Sequence, residues 1–277
     1  MRAASQFMRM RLLPALLGLA TLLAATPAAA VYDPSHQFIV NGSFEQTTNG
    51  VGELAYNTNA IGWTSAPAAN GDYGYNFIFN PATASTTGVR NQYGEDMTLW
   101  GPGNGSNNGL SASPTGGNFL AADGDYNNGK ISQAITGLIV GQTYSLSFNF
   151  AGAQQSGFTG ATTEAWYYGL GSQASSQETA VLNNVSHGFT GWQTQTYNFV
   201  ASQASDTLYF LAAGTPSGQP PFALLDSVSL TGGFVSAAPD PATWMLLIAG
   251  FGIVGLVMRR RGAGLSSASP DGMALAA

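Results

Sequence analysis

A chain of 277 residues with 36 Gly, 8% charged side chains and a formal net charge of −6 can bury a sizeable core. Between Val31 and Ala238 it carries twelve Asp or Glu against Arg90 and Lys130 alone, a net charge near −10 that excludes phosphate-gripping nucleic acid binding and can collect divalent cations. With no cysteine, neither a disulfide framework nor thiol chemistry is open to it.

Arg2, Arg9 and Arg11 precede an apolar run from Leu12 to Ala25, and Ala28-Ala29-Ala30 follows. That order predicts a secretory signal peptide over residues 1–30, cut after Ala30. Residues 31–238 are then expected to form one exported domain. It opens with Phe38-Ile39-Val40-Asn41-Gly42-Ser43-Phe44-Glu45, an apolar strand bent at Asn-Gly and ended by a carboxylate. From Thr47 to Gly117 turn signals separate short aromatic pieces, and Gly101 to Gly117 reads as a long surface loop, the most mobile part of the chain.

The second half is more regularly patterned. Asn118 to Ala122 leads into Asp123-Gly124-Asp125, and Ile131 to Ile135 predicts a strand. Tyr144, Leu146, Phe148 and Phe150 then alternate with Ser145, Ser147 and Asn149, a period of two that sets one face in a core and the other outside it. Further strands are expected at Ala165–Tyr168, Trp192–Val200, Thr207–Leu211 and Leu224–Leu230. No amphipathic helix is predicted between 31 and 238. Short strands and turn-rich connections argue for an all-β, two-sheet sandwich.

The chain closes with Pro239-Asp240-Pro241-Ala242-Thr243-Trp244, an apolar run to Met258, and Arg259-Arg260-Arg261. About 17 apolar residues at about 1.5 Å per residue make a short membrane span, with the arginines and the tail 262–277 held on the cytoplasmic side. Over residues 238–261 this resembles the PEP-CTERM sorting signal in its Trp-containing variant. The resemblance implies recognition by an exosortase, a membrane-embedded cysteine transpeptidase, and delivery to the cell surface or exopolysaccharide matrix. Asp240 stands where the family usually has Glu. A plain membrane anchor without processing predicts the same topology.

Asn41-Gly42-Ser43-Phe44-Glu45, Ile131-Ser132-Gln133-Ala134-Ile135 with Thr143-Tyr144-Ser145-Leu146-Ser147-Phe148, and Leu224-Leu225-Asp226-Ser227-Val228-Ser229-Leu230 together resemble the galactose-binding-like jelly rolls. That group includes many carbohydrate-binding modules. The resemblance implies a jelly-roll β-sandwich and a structural calcium held by Glu45 and Asp226.

Asp226 shares strand parity with Leu224, Val228 and Leu230, so a regular strand turns its carboxylate toward the core, where it needs a partner. Backbone N–H groups, hydroxyls or calcium can supply one. Asp123-Gly124-Asp125-Tyr126-Asn127 has the opening spacing of an EF-hand, but Asn128 and Ala134 stand where that motif needs Gly and Glu. It reads as a turn in which Asp and Asn cap their own backbone, with Asp123 a further candidate for the calcium cage. For sugars, an aromatic face takes the C–H side of a pyranose while amides and carboxylates take its hydroxyls. The candidates are Trp63, Tyr73, Tyr75 and Trp100, then Tyr126 and Trp166. His36 and His187 read as solvated loop residues, and no nucleophile elbow or His-Glu-x-x-His motif is present. The expectation is therefore a non-catalytic exported protein that binds or organises extracellular polysaccharide. The alternatives are a structural surface protein acting through protein contacts and, more remotely, a polysaccharide hydrolase.

Overall fold

Side chains that alternate between apolar and polar give strands two unlike faces, and in the computed structural model the strands form two antiparallel sheets packed face to face, with Val89–Arg90 and Asp96–Met97 paired in a separate two-stranded ribbon. The structure describes residues 31–171 and 176–236, together with Ile248, Gly250, Phe251, Gly252, Val254 and Arg259. The strands are β1 (Val31–Gln37), β2 (Gly52–Glu53), β3 (Thr64–Ser65), β4 (Asn76–Phe79), β5 (Val89–Arg90), β6 (Asp96–Met97), β7 (Phe119–Asp123) and β8 (Ile131–Thr136). They continue with β9 (Thr143–Gln154), β10 (Thr162–Leu170), β11 (Gln177–Glu178), β12 (Leu182–Asn184), β13 (Gln193–Val200), β14 (Ser205–Thr215) and β15 (Pro221–Ser236).

The large sheet has the order β13-β9-β15-β7-β4-β2, with β1 also on β15; the small sheet is β11-β10-β14-β8-β3, with β12 on β10. From β7 to β10, and again from β13 to β15, the chain changes sheet at every step, which is jelly-roll wiring. The expected signal peptide and the motif residues Pro239, Asp240, Pro241, Trp244, Arg260 and Arg261 lie outside the described residues. Of the expected span, Ile248, Gly250, Phe251, Gly252, Val254 and Arg259 are helical. Among the described residues no helix is long and apolar enough to cross a membrane.

The large sheet is buried on both faces at its centre, where β4 and β7 and parts of β9 and β15 lie. Its inner face sets Leu146, Phe148 and Leu225 against Ile131, Trp166 and Phe210 of the small sheet. Its outer face carries Phe77, Phe79, Phe119 and Phe222, and these pack under Ala84, Val89, Met97, Leu99 and Leu110 from the excursion between β4 and β7. All five residues of β7 are accordingly buried, so its sequence shows no alternation.

The segment 101–117 is part of that lid. Asn104 Nδ2 donates to Leu99 O at 2.8 Å, and Asn108 Nδ2 donates to Trp100 O at 2.8 Å and His187 O at 2.9 Å. Its amides satisfy loop backbone that would otherwise be stranded over an apolar face.

Two local readings are corrected. Residues 38–45 form no strand, because Asn41 and Phe44 adopt φ values of 55° and 57°; the edge strand is the preceding β1. Strand β15 is also irregular: its register against β9 shifts between Asp226 and Ser229, and Ser227 sits at φ 56°. This bulge changes the parity. Phe222 and Leu224 belong to the outer core, whereas Val228 and Leu230 belong to the inner one. Asp226 is therefore buried under the lid rather than between the sheets.

Candidate functional site

At the far end of β7 the chain leaves the large sheet through the turn 123–127. Asp123 Oδ1 accepts the backbone N–H groups of Asp125 (2.8 Å) and Tyr126 (3.0 Å), the self-capping turn that Asp favours. Gly124 allows it to lie flat on the small sheet, since a Cβ there would stand 2.4 Å from the backbone of Ala213 and Gly214. Asp123 is 1% exposed, and its Oδ2 is buried with no hydrogen-bond partner among the described residues. Burial pushes its carboxyl up to about 7 despite the two backbone donors.

Around it opens a pocket of about 370 Å³ lined by Tyr75, Tyr93, Glu95, Asp123, Asp125, Tyr126, Gln155, Phe158 and the turn Ser217, Gly218 and Pro220. Tyr75 is buried and meets the Tyr126 ring edge-on at 5.3 Å, and its hydroxyl accepts a hydrogen bond from Asn91 Nδ2 at 3.1 Å. Tyr93 and Tyr126 are 49% and 47% exposed, and their hydroxyls share a 2.9 Å hydrogen bond. Asn127 Nδ2 donates to Tyr93 Oη at 2.9 Å and so fixes that ring from behind. The result is an open, partly aromatic hollow with carboxylate and amide groups pointed at one volume. Such a lining can order a ring that has an apolar face and a polar perimeter.

No family model matches this sequence, and no curated protein does. Similar solved structures include a family 61 carbohydrate-binding module in complex with β-1,4-galactotriose, at 12% identity and TM-score 0.40, covering 72% of this chain and 99% of that one. The K3 cleaved adhesin domain of Lys-gingipain from Porphyromonas gingivalis is similar at 14% identity and TM-score 0.39, covering 71% and 100%. A family 28 module specific for non-crystalline cellulose is similar at 11% identity and TM-score 0.36, covering 72% and 97%. At these values the likeness is one of strand layout alone.

Of the aromatic candidates, Tyr75 and Tyr126 line the pocket. Trp63 is buried against Phe44 and Phe210, its Nε1 donating to Asn41 O at 3.0 Å, and Trp166 is buried with its Nε1 on Leu224 O. Both are core. Tyr73 is exposed beside Tyr56, outside the pocket lining. Trp100 stacks on His187 at 3.9 Å and donates to the carbonyl of the pocket residue Phe158, so it braces the rim from outside. His36 likewise stacks on Phe234, which makes both histidines packing residues rather than solvated ones. Tyr93, Gln155 and Phe158 escape the sequence reading, although Tyr93 lies in a turn and Gln155 and Phe158 flank another, with glycine and amides nearby, the signal that singled out Tyr73.

The carboxylates proposed for one cage divide. Asp123 pairs with Phe222 across the β7–β15 ladder, and Asp226 lies four residues farther along β15, about 13 Å away at the usual strand rise. Asp226 Oδ2 accepts from the hydroxyls of Ser113 and of Thr115 (3.2 Å), and Oδ1 is buried with no partner among the described residues. Burial pushes this carboxyl up to about 6. Glu45 Oε1 accepts the N–H of Asn118 at 2.6 Å, in space left by Gly117, whose φ is 74° and whose missing Cβ would stand 1.7 Å from that oxygen. The segment 113–118 thus links Glu45 to Asp226 and leaves Asp123 at the other end of the strand.

Proposed function

We propose that residues 31–236 are a glycan-binding module, acting without catalysis in a protein exported to the cell surface or extracellular matrix. The observation that carries this reading is the pair of half-exposed rings, Tyr93 and Tyr126, locked together at a pocket that carboxylates and an amide also line. A pyranose seated there sets its C–H face on a tyrosine and its hydroxyls toward Asp125, Glu95 and Gln155. Carbohydrate-binding modules among the proteins of similar strand layout are consistent with it. Over β4, β7 and the first half of β15 the large sheet offers no open face as an alternative, because the lid over Phe77, Phe119 and Phe222 fills it.

The reading includes a structural calcium between Glu45 and Asp226. The unpartnered Oδ1 of Asp226, the Glu45 carboxylate and the hydroxyls of Ser113, Thr115 and Ser227 form a set of hard oxygens suited to that ion. Among the described residues no three His, Asp or Glu side chains are grouped closely enough to hold a metal ion by themselves, so backbone carbonyls and hydroxyls would complete such a shell. The terminal sequences support export through a signal peptide, transient membrane anchoring and processing by an exosortase-type enzyme.

A panel of oligosaccharides presented to the full-length protein with calcium tests the reading. Binding that is lost in Tyr126→Ala, with the thermal midpoint unchanged, is the expected result. No binding to any glycan overturns it, and reducing-end release overturns its non-catalytic part.

One feature favours a second reading, self-association at a surface. Strand β13 is an outer edge of the large sheet, and its eight residues include no charge and no proline. Sedimentation without glycan decides between them.

A further inference from the structure

The pocket is built as a cation site as much as a sugar site. Glu95, Asp123 and Asp125 line it, and no basic side chain does. Arg90 is paired with Asp96 at 3.1 Å, and Lys130 lies over the Tyr209 ring. The acids alone would say little, since acidic surface is common in this chain. Asp123 adds an independent observation: this pocket-lining side chain is almost wholly buried, and its Oδ2 has no hydrogen-bond partner among the described residues. A buried carboxylate oxygen in that position is costly unless something meets it.

The partner that fits must bring hydrogen-bond donors and positive charge, yet be small enough to pass between Tyr93, Tyr126 and Phe158. An ammonium has three N–H donors and no acceptor, and it is drawn to tyrosine faces as well as to carboxylates. On a pyranose it arrives with the C–H face that the tyrosines take. An N-acetyl group instead offers one N–H and adds a carbonyl oxygen beside the acids, and a uronate adds a fourth negative charge.

Resting on the glycan-binding reading, we propose that the pocket selects glycan units carrying a free amine, with the ammonium held by Asp123 and flanked by Glu95 and Asp125. The raised Asp123 carboxyl is consistent with a group that becomes fully ionised only when a cation is beside it.

The test is calorimetric titration of the full-length protein with equal-length β-1,4 oligomers of glucosamine, N-acetylglucosamine and glucose, and with oligogalacturonate. The glucosamine oligomer should bind at least about tenfold more tightly than either neutral oligomer, and galacturonate should bind least. Asp123→Asn should level the first difference, and Glu95→Gln should reduce it should Asp123→Asn fail to fold. Glu178→Gln, which removes an exposed acid outside the pocket, should leave it intact. Binding of the neutral oligomers with no amine preference overturns this inference and leaves the glycan reading standing. No binding to any of the four oligomers also overturns this inference, and binding to another member of the oligosaccharide panel then leaves the glycan reading standing. A preference that survives Asp123→Asn and Glu95→Gln, or falls equally in Glu178→Gln, marks general attraction to an acidic protein and also overturns it.

Discussion

Asp123 and Asp226 lie on adjacent strands of the large sheet yet at opposite ends of their shared ladder, Asp123 facing Phe222 and Asp226 lying four residues beyond it. One ion cannot reach both. Calcium-linked stability is therefore expected to depend on Asp226, with Glu45, and not on Asp123. In wild type, chelation should lower the thermal midpoint by several degrees, since ligand at about a hundredfold excess over Kd stabilises by roughly 2.7 kcal/mol. Asp226→Asn should abolish that response and Asp123→Asn should keep it, with scanning calorimetry as the readout.

Buried acids give the chain an unusual pH profile. Burial pushes Glu164 up to about 8 and Asp123 to about 7, both well above the carboxylate range of an unfolded chain. From about pH 4 upward the native state keeps protons that the unfolded state has released, so stability falls as pH rises toward those values. Each group contributes roughly 1.4 kcal/mol per pH unit over its window. In chelator, the thermal midpoint should be higher at pH 5 than at pH 8, and Glu164→Gln should flatten the decline. A midpoint that climbs between pH 5 and pH 8 contradicts the assignment.

Tryptophan and tyrosine should separate stability from binding. Trp63→Ala removes a buried ring packed on Phe44 and Phe210 and should cost about 3–5 kcal/mol of stability. Tyr93→Ala removes a half-exposed ring and should weaken glycan binding while moving the midpoint little. Denaturant unfolding and titration on the same preparations check both.

Gly124 places the pocket against the small sheet. A methyl group there meets Ala213 and Gly214 backbone at 2.4 Å, and backbone cannot swing away as a side chain can. Gly124→Ala should therefore cost about 1–3 kcal/mol and lower glycan affinity by displacing Asp123 and Asp125 together.

The strands were legible wherever one face met a core and the other did not. Tyr144 to Phe150 alternates and lies within β9, and Ile131 to Ile135 lies within β8. The legibility failed where backbone shape overrode periodicity. Ser227 inserts a bulge, so counting by twos from Val228 back to Asp226 gives the wrong face. It failed again where a second core lay outside the sandwich: Leu99 and Leu110 look like isolated apolar residues in loops until Phe77 and Phe119 are seen beneath them. The turn at Asp123 was readable because Asp caps its own backbone. The pocket above it was not, because its walls come from segments as distant as Tyr75 and Pro220.

Among the described residues strand β15 is the last strand in the chain, and it lies at the middle of the large sheet, bonded to β9, β7 and β1. A ribosome delivers it after all its neighbours. Until Pro221–Ser236 has emerged, β7 and β9 have no common partner between them, and the two cores that share that sheet cannot form. The chain is thus obliged to wait, open, for nearly its whole length to be made. Its completion depends on the residues that border the expected sorting segment.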